Sequence, residues 1–215
     1  MTVEGADDSR WLTRWLVVVS AGEAIGFLVP AVVGVVTSGT PVFVYATLAA
    51  GALEGAVLGA AQSVVLRRRL ARLRVAAWVL LTAAGATVAY GAGMLASAAT
   101  DFAGLPGVVK VGMVGASAGA VLFSVGTAQW LELRRHVRGA GWWVVGTAAA
   151  WTLALGAFLA IATPLWHEGQ EPALSVLIGI GAGLVMAVVM AIATGAVLEA
   201  ILRRDTTARL KTTPR

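Results

Sequence analysis

Six apolar stretches, each long enough to cross a bilayer, set the limits on what this 215-residue chain can become. They run near residues 11–36, 41–66, 75–98, 107–133, 139–163 and 173–202. A hydrocarbon core of about 30 Å is crossed at about 1.5 Å per residue, so about 20 mostly apolar residues suffice. Turn-forming residues separate the stretches at 37–41, 100–107 and 164–172, and basic clusters separate the others. Composition agrees: charged residues make up 13% of the chain and hydrophobic ones 59%, where an ordinary globular chain has about 25% charged. The sequence predicts an all-α, polytopic membrane protein with six transmembrane helices.

Charge placement predicts how it sits. Fifteen of the sixteen Lys and Arg residues gather at one end of the spans. Arg10 and Arg14 precede the first, and five arginines from Arg67 to Arg74 follow the second. Arg134, Arg135 and Arg138 follow the fourth, and five basic residues from Arg203 to Arg215 follow the sixth. Lys110 alone lies at the opposite end. Cytoplasmic loops carry the excess of Lys and Arg, which places both termini inside and requires an even number of spans. Trp11, Trp15, Trp78, Trp130, Trp142 and Trp143 sit near the basic ends, as an interfacial belt would. Glu4, Asp7 and Asp8, followed by an overlong apolar run, mark the first span as a retained helix and not a cleaved signal. Topology accounts for the net charge of +5, so a nucleic-acid partner is not implied. The basic ends would attract anionic lipid headgroups, by about 1 kcal/mol per residue near the surface. The candidate contacts are Arg67, Arg68, Arg134, Arg135, Arg203 and Arg204.

A pattern recurs through the chain. The second span closes with Gly59-Ala-Ala-Gln62-Ser-Val-Val-Leu66-Arg67-Arg68. The fourth closes with Gly126-Thr-Ala-Gln129-Trp-Leu-Glu-Leu133-Arg134-Arg135, 67 residues on. The sixth closes with Gly195-Ala-Val-Leu198-Glu-Ala-Ile-Leu202-Arg203-Arg204, a further 69 on, with Leu198 where the others have Gln. Trp15-Leu16-Val17, Ala77-Trp78-Val79 and Trp142-Trp143-Val144 open the first, third and fifth spans. The unit is a helical hairpin, and same-sense repeats are related by an axis along the membrane normal. Three tandem hairpins, near 11–74, 75–138 and 139–204, therefore predict a pseudo-threefold bundle between cytoplasmic tails at 1–10 and 205–215.

The run Gly-x-x-Gln-Trp-Leu-x-Leu-Arg-Arg followed by Ala-Gly-Trp-Trp-Val resembles a motif of small, poorly characterised bacterial multi-pass membrane proteins. The match is full at 126–135 and 140–144, partial at 59–68, and degraded in the third unit, where Gln is lost. This resemblance implies a bacterial plasma (inner) membrane and no particular activity.

Glycines at four-residue spacing predict seams for close helix packing: Gly22 and Gly26, Gly51, Gly55 and Gly59, Gly115 and Gly119, Gly179 and Gly183. Two carboxyls break the apolar runs. Glu23 is 12 residues from Trp11 and Glu54 is 13 from Arg67, each about 18–20 Å along its helix and near the bilayer midplane. Ionisable groups there are costly and face the bundle interior or a cavity. Pro30 frees the carbonyl of Gly26, one turn from Glu23. The set suits a proton relay or a hard cation; the alternative is a protonated pair with a structural role. Gln62 could share the polar stripe of Glu54, and Gln62 with Gln129 forms interhelical hydrogen-bond glue or lines a cytoplasmic vestibule. Glu132 and Glu199 read as exposed partners of nearby arginines, His136 as a solvated charge, and Lys110 as snorkelling near Asp101. His167, Glu168 and Glu171 are a weak metal set on an outer loop.

Absence of Cys rules out disulfides and thiolate chemistry, and no hydrolase elbow, phosphate loop or zinc-protease motif occurs. No cofactor is implied. Short loops argue for a non-enzymatic protein, either a small proton- or cation-coupled transporter of an ion or small molecule, or a lipid-binding or assembly protein that uses its basic face.

Overall fold

The computed structural model describes residues 3–101, 104–167 and 169–212. These form six helices: α1 (Val3–Thr37), α2 (Phe43–Leu66), α3 (Val75–Asp101), α4 (Gly107–Leu133), α5 (Gly141–Leu165) and α6 (Pro172–Thr212). All six contain a stretch long and apolar enough to cross a membrane. Helix is the form such stretches must take, because each backbone N–H and C=O is satisfied within its own segment. The predicted spans match to within a few residues, apart from α1 and α6. Those two are 35 and 41 residues long and continue past the bilayer length through the segments expected as tails. Glycines in the left-handed region bend the connections: Gly39 at φ 74°, Gly139 at 73° and Gly169 at 75°. Glu168 and Arg215 lie outside the described residues, and the side chain of Asp101 likewise.

Each helix packs on its neighbours in sequence, and α6 returns to α1, which closes a ring. The outward faces are apolar, with Val17, Leu80, Leu153 and Leu177 each more than half exposed. Glu23, Gln62, Gln129 and Glu132 are buried inside. Exposed oil around a polar interior is the reverse of a water-soluble bundle. The chain is a multi-pass integral membrane protein.

At the arginine end the ring is filled. Trp15, Trp78 and Trp143 point inward, essentially without exposure, and meet Leu66, Leu133 and Leu198. Trp78 and Trp143 pack with ring centroids 6.2 Å apart. The belt expectation therefore holds for depth and fails for direction: Trp11 also turns into this core, whereas Trp142 stays exposed. Aromatic area is the cheapest way to plug a ring too wide for aliphatic side chains alone.

Glycine seams account for the tightest helix contacts, though not all the expected ones. A Cβ on Gly55 would lie 2.6 Å from that of Ala86 and 2.8 Å from the Thr82 carbonyl oxygen, and one on Gly59 3.0 Å from Thr82. Gly22 abuts Ala61, and a Cβ on Gly85 would come within 2.7 Å of the Val125 Cα. The seam expected at Gly115 and Gly119 is not one, because nothing stands within 4 Å of either position. Spacing shows which face of a helix is flat and is silent on whether a neighbour occupies it.

Candidate functional site

The buried residues of α2 recur every three or four positions from Ala50 through Glu54 and Leu58 to Gln62 and Leu66. One face of this helix therefore looks into the ring along its length, and it carries both polar groups inward. They reach different surroundings two turns apart, about 12 Å.

Towards the end of the bundle away from the arginines, the ring encloses a cavity of about 870 Å³. All six helices contribute to its wall, among them Phe27, Glu54, Tyr90, Val121, Trp151 and Met186. On α2 the lining runs from Phe43 down to Glu54, and on α3 from Ala98 down to Ala89. The cavity thus extends about 16 Å into the ring from the end away from the arginines, with Glu54 and Tyr90 at its floor. Val44, Leu95, Ser97 and Ala98 on its wall are exposed, so it is not sealed.

Glycine makes room for the floor. The Tyr90 ring lies directly against Gly51, and Gly26 faces the Glu54 side chain, where an added Cβ would come within 3.2 Å of Cγ. Tyr90 donates its hydroxyl hydrogen to Glu54 Oε2 at 2.5 Å. A phenol–carboxyl bond this short is strong in apolar surroundings. Tyr90 occupies only one of the two carboxyl oxygens. Glu23 is 1% exposed, and neither of its carboxyl oxygens has a hydrogen-bond partner among the described residues. The contacts of Gly22 with Ala61 and Gly26 with Glu54 bracket it, placing Glu23 between the cavity floor and the tryptophan core. The two carboxyls are neighbours, as expected, but only Glu54 lines the cavity.

Gln62 and Gln129 lie in the core and not at the cavity. Gln62 Oε1 accepts from Trp78 Nε1 at 3.1 Å and from Gln129 Nε2 at 2.7 Å. Gln129 also donates to Thr82 Oγ1 at 2.9 Å and accepts from Trp143 Nε1 at 2.9 Å. This network joins α2, α3, α4 and α5 at the plug. In place of a third Gln, Trp15 Nε1 donates to the Ala191 carbonyl at 3.1 Å and to Thr194 Oγ1 at 3.3 Å. Gln62 therefore shares the inward stripe with Glu54 without joining its chemistry.

The arginine end differs from its expected form at Glu132, His136 and Glu199. Glu132 is fully buried, not exposed, and the local pairing expected of it is present only as a 3.9 Å contact from Arg135. Its Oε2 accepts from Arg74 Nε at 3.1 Å and Nη2 at 2.9 Å, and its Oε1 from the Arg74 backbone N–H at 3.1 Å. His136 Nε2 lies 2.9 Å from Oε1, so it is not merely solvated. The end of α4 is thereby clamped to the start of α3. Asp205 of α6 likewise accepts the Arg138 backbone N–H at 2.9 Å. Glu199 pairs with Arg203 at 2.6 Å along α6, as expected, but is itself buried and not exposed. Arg67, Arg68, Arg134, Arg135, Arg203 and Arg204 are all exposed. A shallow cavity of about 490 Å³ lies over Trp130 and residues 134–140, lined by Arg134, Arg135, His136 and Arg138. Arg134 stacks on Trp130, 4.7 Å from the ring centroid.

His167 and Glu171 are exposed on the α5–α6 loop, away from the arginines, and no group of three or more His, Cys, Asp or Glu forms a metal site among the described residues. Tyr90 and Trp151 escaped the sequence reading, because an aromatic residue in an apolar span carries no charge to set it apart. No protein-family model, curated protein or solved structure matches the chain.

Proposed function

We propose that this chain is a non-enzymatic, six-span carrier that takes a small, largely apolar molecule into its central cavity and couples its passage to protonation at Glu54 and Glu23. The observation that carries this is a cavity walled by all six helices with a carboxyl–phenol pair at its floor. Its size falls in the range of about 300–1,000 Å³ usual for small-molecule sites. A divalent cation takes about six to eight oxygen ligands, more than two carboxyls and one phenol supply, whereas a proton needs one. Glu54 meets the cavity and Glu23 lies behind it, an order that suits a two-step relay towards the plug. The gate on this reading is the Trp15, Trp78 and Trp143 core, with Gln62 and Gln129 as its latch.

The same reading takes the bundle as three tandem hairpins about a pseudo-threefold axis. Trp78 on Gln62, Trp143 on Gln129 and Trp15 on Thr194 are its support, one indole donor for each unit. On this reading the arginine loops and both termini lie in the cytoplasm of a bacterial cell, and the cavity then opens outward. Proteoliposomes with an internal pH dye test the coupling. Wild type should pass protons faster than Glu54→Gln and Glu23→Gln; equal rates in all three would remove the proposal.

A second reading concerns the basic face. The cavity lined by Arg134, Arg135 and Arg138 suits an anionic lipid headgroup. Anionic lipid should copurify with wild type and be lost from the Arg134→Gln, Arg135→Gln double variant; full retention would exclude this site.

A further inference from the structure

We propose that the occupant of the central cavity is a lipophilic organic cation, its charge set against Glu54 and its apolar body against Phe27, Trp151 and Met186. This deepens the carrier reading and rests on it. The sign of the charge comes from the wall. Among the described residues Glu54 is the one carboxyl lining the cavity, and no Lys, Arg or His lines it. The unpartnered Trp151 Nε1 on the wall is a neutral donor, whereas both carboxyl oxygens of Glu23 stand close behind the floor without a partner among the described residues. The nearest arginine cluster on α2 begins at Arg67, 13 residues from Glu54, about 20 Å along the helix. An anion placed here would face a carboxyl with no cation to offset it, at a cost the low dielectric enlarges.

Shape and polarity narrow the class further. A small hydrated ion gains nothing from Phe27, Phe43, Leu155 and Met186. A bulky cation gains from the whole wall, since the gain from burying apolar surface grows with the area buried. Aromatic faces add a charge-specific attraction within about 6 Å of a ring centroid, and Phe27, Tyr90 and Trp151 supply three of them. Tyr90 leaves one oxygen of Glu54 for the ligand while orienting the other.

Two probes of nearly equal shape separate charge from bulk: methyltriphenylphosphonium, a cation, and triphenylphosphine oxide, which is neutral. Binding of each to the purified full chain in neutral detergent is measured by titration calorimetry. The cation should bind at least about tenfold more tightly, a difference of about 1.4 kcal/mol. Glu54→Gln should bring the two within about threefold, while Glu54→Asp retains most of the preference. Equal affinities in wild type, or a preference that survives Glu54→Gln, would overturn the charge assignment and leave the cavity as a neutral site. Failure of both probes to bind would overturn the cavity reading and this inference with it. The wild-type comparison decides the matter even if Glu54→Gln fails to fold.

Discussion

Glu54 and Glu132 are both carboxyls on long apolar helices, yet they are held in opposite ways. Glu132 takes four contacts within 3.1 Å from Arg74 and His136, which is the arrangement a buried charge needs. Glu54 takes one, from Tyr90, and borders open space. The first is therefore a structural clamp and the second is available for chemistry. Replacing Glu132 with Gln removes the charge that Arg74 pairs with but keeps the size of the side chain. It should lower stability by about 1–3 kcal/mol, read as an earlier transition in detergent denaturation. Wild-type stability would show that the clamp holds nothing. The sequence marked Glu23 and Glu54 because an ionisable group in the middle of an apolar run is costly wherever it points. It showed only half of the Glu132 site: Arg135, three residues on, pairs with it at 3.9 Å, while the closer partner, Arg74, is 58 residues distant at the start of α3.

Helix boundaries were legible for the same reason that the spans were: apolar length and turn residues are local quantities. Helix neighbours were not. Gly55 and Gly119 look alike in sequence, each in a four-residue glycine row, but the first meets Ala86 and Thr82 and the second meets open space. Gly55→Leu should displace α3 and lower the melting temperature in detergent by several degrees or prevent folding, as overpacking does at a cost of about 1–3 kcal/mol. Gly119→Leu should leave the melt within a degree or two, or raise it through better helix propensity. Equal losses from both substitutions would mean that α4 has a close neighbour at Gly119. The Trp residues show the same limit. Their depth was readable from the arginines beside them, but the side of the helix they occupy depends on the Gln, Thr and Leu that receive them from other helices.

At the scale of the whole molecule, six spans form a ring that is filled at the arginine end and hollow towards the other. Trp15, Trp78 and Trp143 close one end, and the cavity lined by Ser97 and Glu54 opens towards the other. The chain contains no Cys, so single cysteines can be introduced without background and probed from each side with a membrane-impermeant thiol reagent. The informative set is Arg72→Cys and Arg138→Cys in the basic loops, Ser38→Cys in the first opposite loop, and Ser97→Cys in the cavity wall. The first two should react only from the cytoplasmic side, and the last two only from the outer side. Labelling of the Arg72 and Arg138 positions from different sides, or of the Ser97 position from the cytoplasm, would contradict both the topology and the direction in which the cavity opens.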